Sequence, residues 1–126
     1  MAFKKRILIV DDDPDVCSCI SEILSAAGFE TAQAGDGGEA LEILRSLKPD
    51  LIIADVVLPR MDGWKLCQAV KAYHKTKFIP IIMLTGKSDG TLEMMTHENH
   101  ADACLTKPFS NERLVEIVER ITHKSL

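Results

Sequence analysis

Five polar residues at separated points in the chain could between them carry a phosphoryl transfer: Asp11, Asp12, Asp55, Thr85 and Lys107. Each follows a short apolar run: Ile7 to Val10 before the aspartates, Leu51 to Ala54 before Asp55, Ile81 to Leu84 before Thr85, and Ala103 to Thr106 before Lys107. Runs of that length, closed by polar or turn residues, read as buried strands. The spacing therefore predicts that all five groups project from one edge of a sheet. Three carboxylates within a few ångströms repel one another and raise each other's pKa unless a cation sits among them. Oxygen donors without His or Cys suit a hard ion, Mg²⁺ (or Mn²⁺), which takes one or two carboxylates and completes its shell with water and phosphate oxygens. Carboxylates form aspartyl phosphates, and the Lys107 ammonium and Thr85 hydroxyl could supply the positioning and charge neutralisation that phosphoryl transfer needs.

Singly, each residue has an ordinary reading. Lys107 alone is a solvated charge, Thr85 a strand end and Asp55 a turn residue, while Asp11 and Asp12 place favourable negative charge before a helix. Five such coincidences at strand ends together point to chemistry.

The elements that must hold them alternate. Strands are expected at Arg6 to Val10, Glu30 to Ala34, Leu51 to Ala54, Ile81 to Leu84 and Ala103 to Thr106. Between the first two, Pro14 suits a first helical turn, Val16, Ile20, Ile23, Leu24 and Ala27 form an apolar face, and Gly28 is placed to end the helix in a left-handed conformation. Gly35 to Gly38 reads as a turn, followed by a helix with Ala40, Leu41, Leu44 and Leu47 inward that ends before Pro49. A third helix buries Leu66, Ala69, Val70 and Tyr73 and leaves Lys65, Gln68, Lys71 and Lys75 in water. The fourth, Ser88 to His100, is the weakest, with Gly90 and Asn99 against it and Leu92, Met94 and Met95 as its only large apolar residues. The fifth starts after Ser110 and buries Leu114, Ile117, Val118 and Ile121 with Val115. Five such alternations imply a parallel sheet covered on both faces, with right-handed crossovers, and in such sheets function gathers at the carboxyl ends of the strands.

Composition bounds the rest. The chain has 126 residues, 46% hydrophobic and 27% charged, which suits one globular domain with a single core. The apolar run after the basic start is too short for a secretory signal or a membrane span. Four cysteines, 17, 19, 67 and 104, lie in apolar-periodic segments without metal or redox spacing and read as buried thiols of a cytoplasmic protein. Histidines 74, 97, 100 and 123 read as surface residues. The net charge of −4, with the basic residues scattered, argues against direct nucleic-acid binding.

Four motifs, Ile7-Leu-Ile-Val-Asp-Asp-Asp13, Ala54-Asp-Val-Val-Leu-Pro-Arg-Met-Asp-Gly63, Met83-Leu-Thr-Gly86 and Leu105-Thr-Lys-Pro-Phe109, in this order and spacing, resemble those of response-regulator receiver domains of the CheY-like family, across essentially the whole chain. The resemblance implies an α/β flavodoxin-like three-layer fold with strand order 2-1-3-4-5. It further implies a two-component phosphorelay role in which Asp55 accepts phosphate from a phosphohistidine on a sensor histidine kinase or a histidine phosphotransfer protein. Carried over, Asp11, Asp12, Asp55 and the backbone carbonyl of Val57 would hold Mg²⁺, and Asp13 would not be a ligand. Thr85 would bond the phosphoryl oxygen and swing toward it, with Lys107 pairing with it, and Lys107-Pro108 would be cis. The shifted helix 4, strand 5 and helix 5 surface would then regulate an unknown downstream target. Such a switch is not an enzyme beyond its own phosphorylation and dephosphorylation, is cytoplasmic, needs no membrane, and is a monomer or a phosphorylation-dependent dimer. Residues 1–126 are expected to be one receiver domain without an output domain.

Two positions depart from the family. Cys104 stands where receivers usually carry the Tyr or Phe that turns inward when the threonine moves. His100 stands where a glycine commonly precedes the Ala-Asp of the fifth strand, a strained choice if φ is positive. Both predict an altered readout. Val57 and Lys87 flank the phosphoryl site in the family, and an apolar Val57 cannot orient an attacking water, which predicts slow autodephosphorylation. The rival reading is a small haloacid-dehalogenase-type phosphatase, for which Asp11-Asp-Asp13 supplies an Asp-x-Asp with Asp11 as nucleophile, although its late acidic motif is missing and there is no room for a cap. A flavodoxin-like electron carrier would need a Ser/Thr/Gly-rich loop where three aspartates would repel an FMN phosphate.

Overall fold

The computed structural model describes residues 4–86 and 91–123. Strands and helices alternate as β1 (Arg6–Val10), α1 (Pro14–Ala26), β2 (Glu30–Ala34), α2 (Gly37–Ile43), β3 (Leu51–Asp55), α3 (Gly63–Ala72), β4 (Ile81–Thr85), α4 (Thr91–Glu98), β5 (Ala103–Thr106) and α5 (Asn111–His123). The strands form one parallel sheet in the order β2-β1-β3-β4-β5. The order reverses beside β1, where a topological switch point places ligands in folds of this kind.

Alternating side chains divide the core between the two faces of the sheet. Ile7, Ile9, Leu51 and Ile53 join Ile20 and Leu24 of α1 and Leu114, Ile117 and Val118 of α5 in one cluster. Leu8, Val10, Ile52 and Ala54 join Ala40 of α2 and Leu66, Cys67 and Val70 of α3 in the other. The central strands are therefore buried on both sides, as a parallel sheet between helix layers requires.

Helix starts follow local chemistry. Asp13, Asp36 and Asp62 each precede a helix and accept a hydrogen bond from the backbone N–H of Asp15, Glu39 and Lys65 respectively, satisfying one of the donors that a helix start leaves open. Asp36 thus caps α2 at once, and Gly37 and Gly38 are helical rather than part of a four-residue turn. Gly28, at φ 98°, leads the chain out of α1.

Several expectations need correction. α2 ends at Ile43, not before Pro49, because the backbone tightens into turns in which the Arg45 and Ser46 N–H groups reach back only three residues. Tyr73 is 49% exposed, since it terminates α3 in an extended conformation instead of completing its buried face. Lys71 is not free on the wet face, because its ammonium donates to the Ile79 carbonyl at 2.7 Å and the Asp102 carboxylate at 3.0 Å. Only Cys17 and Cys67 are buried, whereas Cys19 is exposed and Cys104 half-buried. The expected start of the fourth helix at Ser88, with Gly90, and the flanking Lys87 lie outside the described residues.

Candidate functional site

Strand register brings the site together. Val10 is level with Ala54, Asp55 with Leu84, and Thr85 with Thr106. Asp11, Asp55, Thr85 and Lys107 consequently stand side by side at the carboxyl edge of four adjacent strands, with Asp12 exposed at the rim. Asp11, Asp55 and Thr85 are buried, at 2%, 8% and 8% exposure.

Lys107 is the cation of this cluster. Its Nζ lies 2.5 Å from Asp55 Oδ2 and 3.6 Å from Asp11 Oδ2. The lysine backbone is fixed as well, because its N–H donates to the Thr85 carbonyl at 2.7 Å and the following Lys107-Pro108 peptide is cis. Burial opposes the Lys107 ammonium, but its hydrogen bond to Asp55 and the charges of Asp55 and Asp11 outweigh that, and the lysine pKa rises. The charged ammonium is thus held beside Asp55.

Asp11 is the strained member of the group. Its Oδ1 accepts the Asp13 N–H at 2.9 Å, while its buried Oδ2 has no hydrogen-bond partner. Burial pushes its pKa up to about 6, aided by the neighbouring Asp55 and opposed by the Asp13 N–H and by Lys107. Buried carboxylate oxygen without a donor is costly. A hard cation would relieve it, and the oxygen-only donors fit Mg²⁺. Lys107 already neutralises part of the charge. Among the described residues no three His, Cys, Asp or Glu side chains are gathered where they could hold a metal ion, so the three carboxylates expected within a few ångströms of one another are not brought together, Asp12 standing exposed while Asp11 and Asp55 are buried.

The loop after Asp55 is tightly built. Asp55 Oδ1 accepts the Val57 N–H at 2.9 Å, which fixes the rotation of the carboxyl group. Gly63 donates its N–H to the Val56 carbonyl at 2.8 Å, and a Cβ there would come within 2.2 Å of the Asp55 carbonyl oxygen. Arg60, at φ 64°, reaches Asp36 with an N–O distance of 2.6 Å, and Met61 packs on Gly37. This latch between the loop and α2 was not legible in the sequence, because nothing local marks an ion pair across 24 residues.

Val57, whose N–H is held by Asp55, is 77% exposed. Cys104 lies on β5 level with Met83, half-buried against the α2/α3 core cluster. His100 has φ 62°, so the condition under which histidine is a strained choice at that position is met. Asp13, the second aspartate of a phosphatase-type Asp-x-Asp, is engaged in capping α1.

The chain is similar to known proteins in sequence and in fold. The family model described as response regulator receiver domain matches residues 7–119. The DNA-binding response regulator MtrA of Mycolicibacterium smegmatis is 40% identical over 112 residues, 89% of this chain and 48% of that protein. The DNA-binding dual master transcriptional regulator RpaA of Synechocystis is 38% identical over 122 residues, 95% of this chain and 50% of that protein. Among solved structures, the chemotaxis response regulator CheY4 of Vibrio cholerae superposes with a TM-score of 0.89 at 34% identity, covering 94% of this chain and 99% of that one. The chain thus spans about half the length of the curated relatives it matches. Their names correct the expectation that nucleic acid is absent from the partners. A net charge of −4 with dispersed basic residues describes this surface only, whereas the relatives named as DNA-binding are twice as long. The phosphatase reading finds no support among these matches.

Proposed function

The chain belongs to the response regulator receiver domain family, a family of signalling switches in two-component systems, and on that premise we propose that Asp55 is its phosphoacceptor. The observation that carries the assignment is the pairing of Asp55 Oδ2 with the Lys107 ammonium at 2.5 Å, beside the unpartnered buried oxygen of Asp11. An Asp55 oxygen forms the bond to phosphorus as the bond from phosphorus to the imidazole nitrogen of a phosphohistidine donor breaks. Val57 N–H holds the carboxyl orientation, and Lys107 neutralises the incoming phosphoryl oxygens. Thr85, buried at the neighbouring strand end, would donate its hydroxyl to one of them.

Receiver domains generally bind Mg²⁺ at this acidic pocket. Here Asp11, Asp12, Asp55 and the Val57 carbonyl would hold it, and the ion would supply charge neutralisation at the phosphoryl group. Asp11 brings the buried oxygen that lacks a donor, and Asp12 the exposed carboxylate at the rim. The chemistry is confined to the chain's own phosphorylation and dephosphorylation. The readout runs through α4, β5 and α5 toward an output region, DNA-binding as in MtrA and RpaA. Among the described residues no helix is long and apolar enough to cross a membrane.

Intact mass after incubation with acetyl phosphate and Mg²⁺ tests the assignment. One phosphoryl adduct is expected on the wild type and none on Asp55→Asn. An adduct that persists on Asp55→Asn and disappears only in Asp11→Asn would overturn it.

A further inference from the structure

A groove of about 860 Å³ runs between the C-terminal parts of α2 and α3. The strands run parallel and each connecting helix returns against them, so the C-terminal ends of α2 and α3, and the groove with them, lie at the edge of the sheet opposite Asp55. Its floor is apolar, made by Leu41, Leu44 and Ala69 with the half-exposed ring of Tyr73. Its rim is basic, carrying Arg45, Lys48 and Lys75. Arg45 meets Glu42 only in an open pair at 3.5 Å, with both side chains about three-quarters exposed, and such pairs hold their partners weakly. Lys48 and Lys75 make no ion pair among the described residues.

The charge here runs against that of the whole. The lining holds three basic side chains and no acidic one, in a chain of net charge −4. A cation near a helix C-terminus has an ordinary role in complementing the helix dipole. That role accounts for one such residue after each helix, but not for three around an apolar floor. The volume lies in the range of binding clefts. A simple phosphate would leave the floor unused, and a single-stranded nucleic acid would want a row of stacking rings, whereas the groove has one aromatic ring, already edge-on to His74.

We propose that this groove docks an acidic amphipathic peptide segment of a protein partner, with its apolar side chains on the Leu41, Leu44 and Ala69 floor and its carboxylates on Arg45, Lys48 and Lys75. Cationic rims of this kind set partner choice and association rate, while the apolar contacts retain the bound segment. The surface is separate from the phosphoryl site, so docking does not depend on Asp55.

The test uses the full chain and a fluorescein-labelled peptide in which leucine alternates with glutamate, titrated by anisotropy. An all-glutamate peptide and an oligothymidylate serve as comparison polyanions. The expected result is saturable binding of the leucine-glutamate peptide, tighter than either comparison probe. Amide NMR shifts should be confined to residues 41–48 and 69–76. Reversing two rim charges, Lys48→Glu with Lys75→Glu, should weaken binding by about tenfold without changing phosphorylation by acetyl phosphate. The neutral pair Lys48→Gln with Lys75→Gln should give a smaller loss in the same direction, which separates lost charge from any folding defect. Equal or tighter binding of the all-glutamate peptide or the oligothymidylate, shifts elsewhere, indifference to the rim charges, or no binding would each overturn the proposal. Unaltered peptide binding by Asp55→Asn is expected, so the outcome is independent of the phosphoacceptor assignment.

Discussion

Asp11→Asn should stabilise the metal-free domain at neutral pH, although it removes a charge from the middle of the site. Burial and the nearby Asp55 raise the Asp11 carboxyl from its usual 3.8 to about 6 in the folded state. Below pH 4 the group is protonated in both folded and unfolded chains, and it costs nothing. Between the two values the folded chain binds a proton that the unfolded chain has released, so relative stability falls as pH rises. Above about 6 the group is ionised in both states, and the full cost of a buried charge is present. A shift of roughly two units converts to about 3 kcal/mol at ~1.4 kcal/mol per unit. Relaxation of the rim and water at its open side reduce the expected effect to about 1–2 kcal/mol. Asparagine keeps the acceptor that Asp11 Oδ1 presents to the Asp13 N–H at 2.9 Å, so little is lost in exchange. With a urea slope of about 2 kcal/mol per molar, the midpoint in EDTA at pH 7 should rise by roughly 0.5–1 M. The gain should shrink as pH falls from 6 toward 4. Mg²⁺ should narrow it from the other side, because the ion stabilises the wild type by mass action more than the variant. A variant less stable than wild type at pH 7 in EDTA, or a difference that does not change with pH, would refute the reasoning.

Val57 is apolar and 77% exposed at the phosphoryl site, so the aspartyl phosphate should decay over minutes or longer, and Val57→Asn should accelerate phosphate release several-fold; a wild-type half-life of seconds after radiolabelling would contradict this. Gly63→Ala should cost about 1–3 kcal/mol or more in urea melts, because the new methyl would lie 2.2 Å from the Asp55 carbonyl oxygen and 2.9 Å from Val56 Cα. Gly86→Ala meets nothing within 4 Å and should be close to neutral, and similar losses for the two variants would remove the steric argument. His100→Gly should raise stability by about 1 kcal/mol, since φ is 62° there and glycine adopts that conformation without penalty; an unchanged midpoint would mean that His100 makes a compensating contact.

Much of this protein was legible from sequence for local reasons. The five strands were placed within a residue of their observed limits; β1, β3 and β4 read as apolar runs because they are buried on both faces, whereas the edge strand β2, Glu-Thr-Ala-Gln-Ala, is no such run and was marked by the glycines on either side of it. Asp13, Asp36 and Asp62 sit where helix caps belong, but only the folded chain showed that capping α1 occupies Asp13. Gly28 and His100 were marked by position, and their positive φ values bear that out. The misplaced features depend on what lies opposite. Tyr73 fits the apolar period of α3, yet the helix ends before the ring can turn inward, and Cys19, read as a buried thiol, is exposed although Cys17 two residues earlier is buried as expected.

The sequence by itself determined which chemical groups are present and that they stand at strand ends, since strand length and turn residues are written locally in the chain. Tertiary structure alone decided how they meet. Register across four strands sets Lys107 2.5 Å from Asp55 and leaves one oxygen of Asp11 buried without a donor. It also gathers Arg45, Lys48 and Lys75 around an apolar floor at the far edge. These are relations between segments tens of residues apart, and their distances are fixed by packing two helix layers on one sheet, for which no local pattern in the chain encodes a value.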